Sequence, residues 1–422
     1  MIIKKVILFL YCLIGFSSCV LSQDVSPLFP CSTRLEAPYG AVCHFTSIYR
    51  DFPLLDREVD MLKKAEIKNA RIDYWLDYGQ NNIFKDTLIS IMDITTKKMR
   101  KSSIDILPII FVGNKGARPW DYRHNFILFQ NHLLSNYNKD FKYLEVMNEV
   151  NYISSIEDIT QDSLVRLYTE ILSETYYAVK EYSPNAKVLS SGLAGTADRF
   201  LESLSEHQAF KYFDILNVHS YNKPEDLPNM FKYIKSVMNK YNWEKPLWLS
   251  ECGMSTYIDS LKVIEPNDIP KIIKRNEYEQ AIRLPRIYII SFAYGIDKIY
   301  WYEMRSRERD IFDKEENFGL LHADLSPKPA YYSYKTLIQM CPEGSTRPTL
   351  SINDNIYMSS WQKPNGENVW AIWSKSDGQP IDLKVNGAAK YYNHLGGITH
   401  VPNTVGGGMI YIVGAKSVIV KM

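Results

Sequence analysis

From Tyr39 to Met340 the chain alternates short apolar runs with longer stretches whose apolar positions recur every three or four residues. The first kind reads as strand and the second as amphipathic helix. Tyr39–Phe45 is the first candidate strand, and the helical pattern of Asp56–Asn69 follows, with Val59, Leu62 and Ile67 on one face. Further strands are expected at Ala70–Trp75, Ile104–Val112, Tyr143–Asn148, Lys187–Ser191, Phe213–Ser220, Pro246–Glu251 and Lys298–Glu303. Helices are expected near Phe84–Arg100, Asp121–Tyr137, Asp162–Glu181, Ala197–His207, Leu227–Tyr241, Lys271–Tyr294 and Ala330–Met340. Ile104–Val112 is almost wholly apolar, as a strand covered on both faces requires. Eight strands alternating with helices have the rhythm of an α/β protein of the (β/α)8 TIM barrel class. A doubly wound open sheet competes, but it calls for a Gly-rich turn after the first strand, where Gly40 stands alone.

Past Pro342 the pattern changes. Asn355–Gln362, Asn368–Ser374, Ile381–Val385 and Met409–Met422 alternate apolar and polar residues between Pro-Asn-Gly, Ser-Asp-Gly and Gly-Gly turns. This is a small antiparallel β-sandwich domain, expected over 349–422 after a barrel over 31–341. At that size it is marginal alone and should pack on the barrel.

Before Tyr39 the pattern is that of an exported protein. Lys4 and Lys5 precede the apolar run Val6–Phe16, with Ser17 and Ser18 behind it, so 1–22 reads as a signal peptide. Two exits compete: ordinary cleavage near Ser22, or a lipoprotein box ending at Cys19, whose lipid would tether the domain to a membrane. The expected location is periplasmic, outer-membrane-anchored or extracellular. Cleavage leaves Cys31, Cys43, Cys252 and Cys341, too sparse for a disulfide framework and without zinc-type spacing.

Composition narrows the partner. A formal net charge of +1 gives no long-range attraction for nucleic acid. The 30 Tyr and 8 Trp suit the apolar faces of sugars, although most aromatic side chains fill cores. No P-loop, dinucleotide fingerprint or metal-spaced His/Asp cluster is present, so no cofactor and no metal are expected.

Candidate chemistry sits at the strand ends, which in a barrel converge on one face. They are Arg71 and Asp73, Asn148 and Glu149, His219 and Tyr221, Glu251, then Trp301 and Glu303. Taken alone, Asn148-Glu149 reads as a helix cap more readily than as a reactive pair. Glu251, closing another strand, changes that: cleaving an acetal needs a proton donor at the leaving oxygen and an anion opposite the developing cation. Each has a plainer reading too. Arg71 pairs structurally with Asp73 or Glu145, His219 is a satisfied polar residue, and Trp75 and Trp120 are packing. Strand parity turns Trp248 away from Glu251, toward the helices. Parity also forbids Asn148 and Glu149 from both pointing inward unless the strand ends or bulges between them.

LEVMNE and WLSECG, with ARIDYW, VHSY, IYWYEMRS and FGLLHADLSPKPAYYSY in order, resemble the motifs of glycoside hydrolase clan A. Within it the chain is most similar to family 39 and related family 5-like enzymes. The resemblance implies a retaining β-glycoside hydrolase acting on an oligo- or polysaccharide. Glu149 would be acid/base and Glu251 nucleophile, with Asn148 bonding the sugar beside the reacting carbon. Arg71 and Tyr221 would hold Glu251 ionised, His219 would touch the sugar, and Trp301 would stack beneath it. Met147 and Val150 stand where the clan commonly has Trp and Pro. A catalytically dead, glycan-binding barrel is the alternative, and a lyase or metal hydrolase a third.

Overall fold

The computed structural model describes residues 23–47, 51–76, 86–112, 123–153, 159–259, 265–353 and 355–421. The expected signal peptide, Cys19 and Trp120 lie outside them.

The barrel is present. Its strands are Tyr39–Cys43, Asn69–Leu76, Asp105–Val112, Tyr143–Val146, a fifth in two pieces (Lys187–Leu189 and Leu193–Ala194), Leu216–Ser220, Leu247–Cys252 and Ile299–Trp301. They pair in parallel and in sequence, and the eighth closes on the first through Ile299 opposite Tyr39. The break in the fifth strand is bridged by single pairings, Asn148 with Gly192 and Leu189 with Ile215. Helices cover the outside. The longest of them before the sixth strand, Gln161–Tyr182, is capped by Thr160, whose side chain accepts from Ser163 N, and stops before Pro184. That stop is where a proline makes helix continuation costly.

Inside, the barrel is layered. Its lower layer is apolar: Val42, Leu107, Leu189, Ile215, Trp248 and Tyr300 pack together with Tyr143. Below them Lys298 donates to Asn69 Oδ1 at 2.9 Å and lies over the Tyr143 and Trp248 rings. Trp248 thus faces inward, contrary to the parity reading. The seventh strand carries an irregularity: Val218 is opposite Leu249, yet His219 is opposite Glu251. Ser250 is the extra residue, and a bulge of this kind resets the in–out alternation.

The C-terminal part is antiparallel, with a seven-stranded sheet and two short two-stranded ones. The seven-stranded sheet includes Gln23–Val25, which pairs with Leu350–Ile352 before the chain enters the barrel. This pairing spans most of the sequence and leaves no local signal. Trp361 Nε1 donates to Met340 O at 2.7 Å, and Tyr357, Trp361, Trp373 and Tyr411 belong to the same core as the barrel helices. All four described cysteines are free.

Candidate active site

Above the apolar layer, the barrel interior becomes ionic. Arg71, buried on the second strand, donates from Nε and Nη2 to both oxygens of Glu145 (2.7 and 2.9 Å). Its Nη1 donates to Glu251 Oε1 at 2.6 Å and its Nη2 to Asn148 Oδ1 at 2.9 Å. The strand ends therefore converge: the cation sits between a buried structural carboxylate and a cavity-facing one. Burial pushes the Glu145 carboxyl up, but the charge of Arg71 and bonds from His219 and Arg71 outweigh it and hold it at about 2.

The fourth strand ends at Val146. Met147 (φ 67°) and Glu149 (φ 44°) take left-handed backbone conformations, so the chain turns twice in three residues. That break lets Asn148 and Glu149 both reach the cavity, as parity required. Beyond it, Glu251 is held by two donors: Arg71 on Oε1 and Tyr221 Oη on Oε2, at 2.6 Å. Burial and the negative charge of Glu251 keep the Tyr221 phenol well above its ordinary range, so it remains a donor. Glu149 is more open, with 28% of its side chain exposed against 9% for Glu251. A carboxylate oxygen of Glu149, one of Glu251 and a His219 ring nitrogen all lie within 4.8 Å of one another.

His219 is fully buried. Its Nδ1 is 2.8 Å from Glu149 Oε1 and 3.4 Å from Glu251 Oε2, and its Nε2 is 3.0 Å from Ser250 Oγ. Burial disfavours its charge, but Glu251, Glu145 and Glu149 outweigh burial and push it up to about 9. Gly192 makes room for the ring: a Cβ there would lie 1.9 Å from Nε2.

Arg71, Asn148, Glu149, Tyr221 and Glu251 line a cavity of about 300 Å³, completed by His44, Asp73, Ile109, Tyr302, Lys314, Glu315 and Phe318. His219, expected to touch the sugar, is buried behind this lining and meets the cavity through Glu149 and Glu251 instead. His44 Nδ1 is 2.5 Å from Asp73 Oδ2, and its Nε2 is 3.2 Å from the buried Glu303. Trp301 corrects an expectation. It is wholly buried in the layer between barrel and helices and does not line the cavity. Tyr302, the next residue, lines it instead, because adjacent residues of a strand face opposite ways. The cavity ring packs edge-on against Tyr221 and Phe318.

Of the expected residues, Arg71, Asn148, Glu149, His219, Tyr221 and Glu251 come together. Sequence reading missed Tyr302, Lys314, Phe318, Ser250 and Gly192. Only Gly192 left a signal, an isolated glycine in an apolar strand pattern, which marks close approach of another group. The Glu149–His219–Glu251 trio is tight enough to gather round a cation. Yet Glu251 already carries Arg71, and His219 is held toward its protonated form, so a metal would meet positive charge on two of its ligands. Two carboxylates this close instead suit nucleophilic and acid/base work on the two atoms of one bond.

Residues 118–272 match the family model described as glycosyl hydrolase catalytic core. No curated protein matches the chain in sequence. A family 39 glycoside hydrolase from the gut symbiont Bacteroides cellulosilyticus WH2 superimposes with a TM-score of 0.71 at 16% identity, over 90% of this chain and 81% of that one. A glucosidase from Croceicoccus marinus gives 0.64 at 12% identity (94% and 99% covered). A monomeric β-xylosidase from Caulobacter crescentus CB15 gives 0.61 at 11% (92% and 98%). At such identities the likeness is one of fold: a TIM barrel with an appended β domain. The resemblance drawn from the strand-end motifs is to the same group of proteins.

Proposed function

We propose that the protein is a retaining β-glycoside hydrolase, with Glu251 as nucleophile and Glu149 as acid/base. The observation that carries this reading is the Glu149–Glu251 pair itself: carboxylate oxygens within 4.8 Å of each other at the mouth of a barrel. Retaining enzymes hold their carboxyl groups about 5–5.5 Å apart, whereas inverting ones need about 6.5–9.5 Å to admit a water.

The environments differ in the required sense. Glu251 accepts from Arg71 and Tyr221 on its two oxygens, so its anion is stabilised and its lone pairs are aimed. It attacks the anomeric carbon as the bond to the leaving oxygen breaks. Glu149, to which His219 is the one cation bonded among the described residues, supplies the proton to that oxygen. It then takes one from the water that cleaves the glycosyl ester. Asn148, oriented by Arg71, is placed to bond the hydroxyl next to the reacting carbon. Tyr302 and Phe318 give the sugar apolar faces. The substrate class is a β-linked oligo- or polysaccharide. The charged-then-apolar N-terminus supports an exported enzyme, anchored if Cys19 is lipidated.

A panel of β-linked aryl glycosides and polysaccharides identifies the sugar. On the best substrate, Glu251→Gln and Glu149→Gln are each expected to lose at least about 10³-fold in kcat with the fold intact. Azide should rescue Glu149→Ala as a β-glycosyl azide and Glu251→Ala as the α-azide. Near-normal turnover by either glutamine variant refutes the assignment.

A further inference from the structure

Beneath the carboxylate pair, the hydrogens of the buried polar groups can be placed one after another. Ser250 N–H can only donate, and it meets Asn217 Oδ1 at 3.0 Å, which fixes the orientation of that amide. Asn217 Nδ2 must then donate to Ser250 Oγ, 2.7 Å away. Glu145 accepts from Arg71 and from Gly192 N–H, and as a carboxylate it can only accept from Ser250 Oγ at 3.3 Å. Ser250 Oγ has now given its one hydrogen to Glu145 and one lone pair to Asn217. Its second lone pair faces His219 Nε2 at 3.0 Å, so Nε2 carries a hydrogen. Asn217, Ser250, His219 and Glu145 are all fully buried, so water does not supply an alternative partner. That leaves Nδ1 facing Glu149 Oε1 at 2.8 Å. Two acceptors do not approach so closely without a proton between them. Glu251 Oε2, at 3.4 Å, is farther and already accepts from Tyr221.

We propose that Asn217 and Ser250 are positioning residues that lock His219 in its Nε2–H form, so that His219 and Glu149 share a single proton, the one delivered to the leaving oxygen. This deepens the reading of Glu149 as acid/base and rests on it. In the first displacement Glu251 bonds to the anomeric carbon, the bond from that carbon to the leaving oxygen breaks, and the shared proton passes through Glu149 to that oxygen. The His219 lone pair then faces a bare Glu149 carboxylate. Their repulsion makes Glu149 the stronger base, and the pair regains its proton from the water that attacks the glycosyl ester. Among the described residues, Arg71, Glu145, Glu149 and Glu251 are the charged groups around the ring, and of these only Glu149 faces Nδ1 within 3 Å.

The test combines two readouts on the full protein. Nitrogen-15 NMR reports the His219 tautomer, its signals identified by their loss in His219→Gln. The pH profile of kcat/KM is measured for wild type, Ser250→Ala and Ser250→Thr. The wild-type ring should keep a hydrogen on Nε2 across the whole range. Without Ser250, the neutral ring is free to turn to its Nδ1–H form and donate to Glu149, lowering its proton affinity. The basic limb of Ser250→Ala should fall by at least about one pH unit, a tenfold loss at alkaline pH, with the acidic limb unmoved. Ser250→Thr, which keeps the hydroxyl, should restore it. A wild-type ring bare at Nε2, or a Ser250→Ala variant slowed equally at every pH, overturns the lock. Glu149→Gln separates the two ideas: if it keeps wild-type activity, the acid/base reading itself has failed.

Discussion

Glu145 offers the most quantitative test of the ionic layer, because it is fully buried beneath the Glu149–Glu251 pair and does not line the cavity. Its carboxylate is fully buried and accepts from Arg71 Nε and Nη2, Gly192 N–H and Ser250 Oγ. Burial works against its charge; Arg71, with bonds from His219 and Arg71, prevails and holds it at about 2, against an ordinary 4.5. A carboxyl depressed on folding stabilises the native state above its unfolded value, and that contribution is lost as pH falls through the folded one. From pH 4.5 down to 2, the native protein should therefore lose about 3 kcal/mol through this one group. Breaking a buried ion pair from one side costs about 3–5 kcal/mol, so the two routes give the same magnitude. In Glu145→Gln the acid-dependent part disappears. Urea denaturation followed by tryptophan fluorescence at half-unit steps from pH 6 to pH 2.5 measures it. The wild-type curve should fall about 3 kcal/mol further than that of the variant, and the two should converge in acid. Parallel curves would refute the claim that Arg71 is held chiefly by an ionised Glu145.

Three other outcomes follow from the same packing. Gly192→Ala places a methyl 1.9 Å from His219 Nε2, so it should cost about 1–3 kcal/mol of stability and at least tenfold in kcat; full activity would mean that the position of His219 is immaterial. Burial pushes Lys298 down to about 8. The unfolded chain then binds more protons than the native one between pH 8 and 10.5, so stability should rise with pH across that window by about 3 kcal/mol, and Lys298→Met should remove that rise. An unchanged slope would place Lys298 in contact with water. Finally, Tyr302→Ala should raise KM, whereas Trp301→Phe should lower the denaturation midpoint and leave KM alone. The opposite pattern would restore Trp301 as the sugar platform.

Much of this was legible in the chain. The apolar runs were placed within a few residues of the barrel strands, and Arg71, Glu149, Tyr221 and Glu251 could be found as polar residues ending them. Such positions stand out because a charge at the end of an apolar strand needs a partner. The failures share one cause, that alternation was counted along ideal strands. The extra residue at Ser250 turned Trp248 inward and brought Ser250 and Glu251 to the same side. At the eighth strand, counting from Trp301 instead of Tyr302 chose the wrong aromatic. Lys314 and Phe318 reach the cavity from the segment after the eighth strand, whose path depends on tertiary contacts such as Thr256 N to Asn317 O. Gln23–Val25 joins a strand more than 300 residues away, a pairing that local pattern does not encode.

The central claim is that Glu251 attacks carbon while Glu149 handles the proton. It is tested most directly by trapping the covalent intermediate with 2-deoxy-2-fluoro-β-glycosyl fluorides in the gluco, xylo, galacto and manno series. Digestion and mass spectrometry of the inactivated protein should find a single fluorosugar on the Glu251 carboxylate, and the uninhibited enzyme should release a product of retained configuration. A sugar on Glu149 instead, or a product of inverted configuration from an enzyme that none of the fluorides labels, would contradict the account.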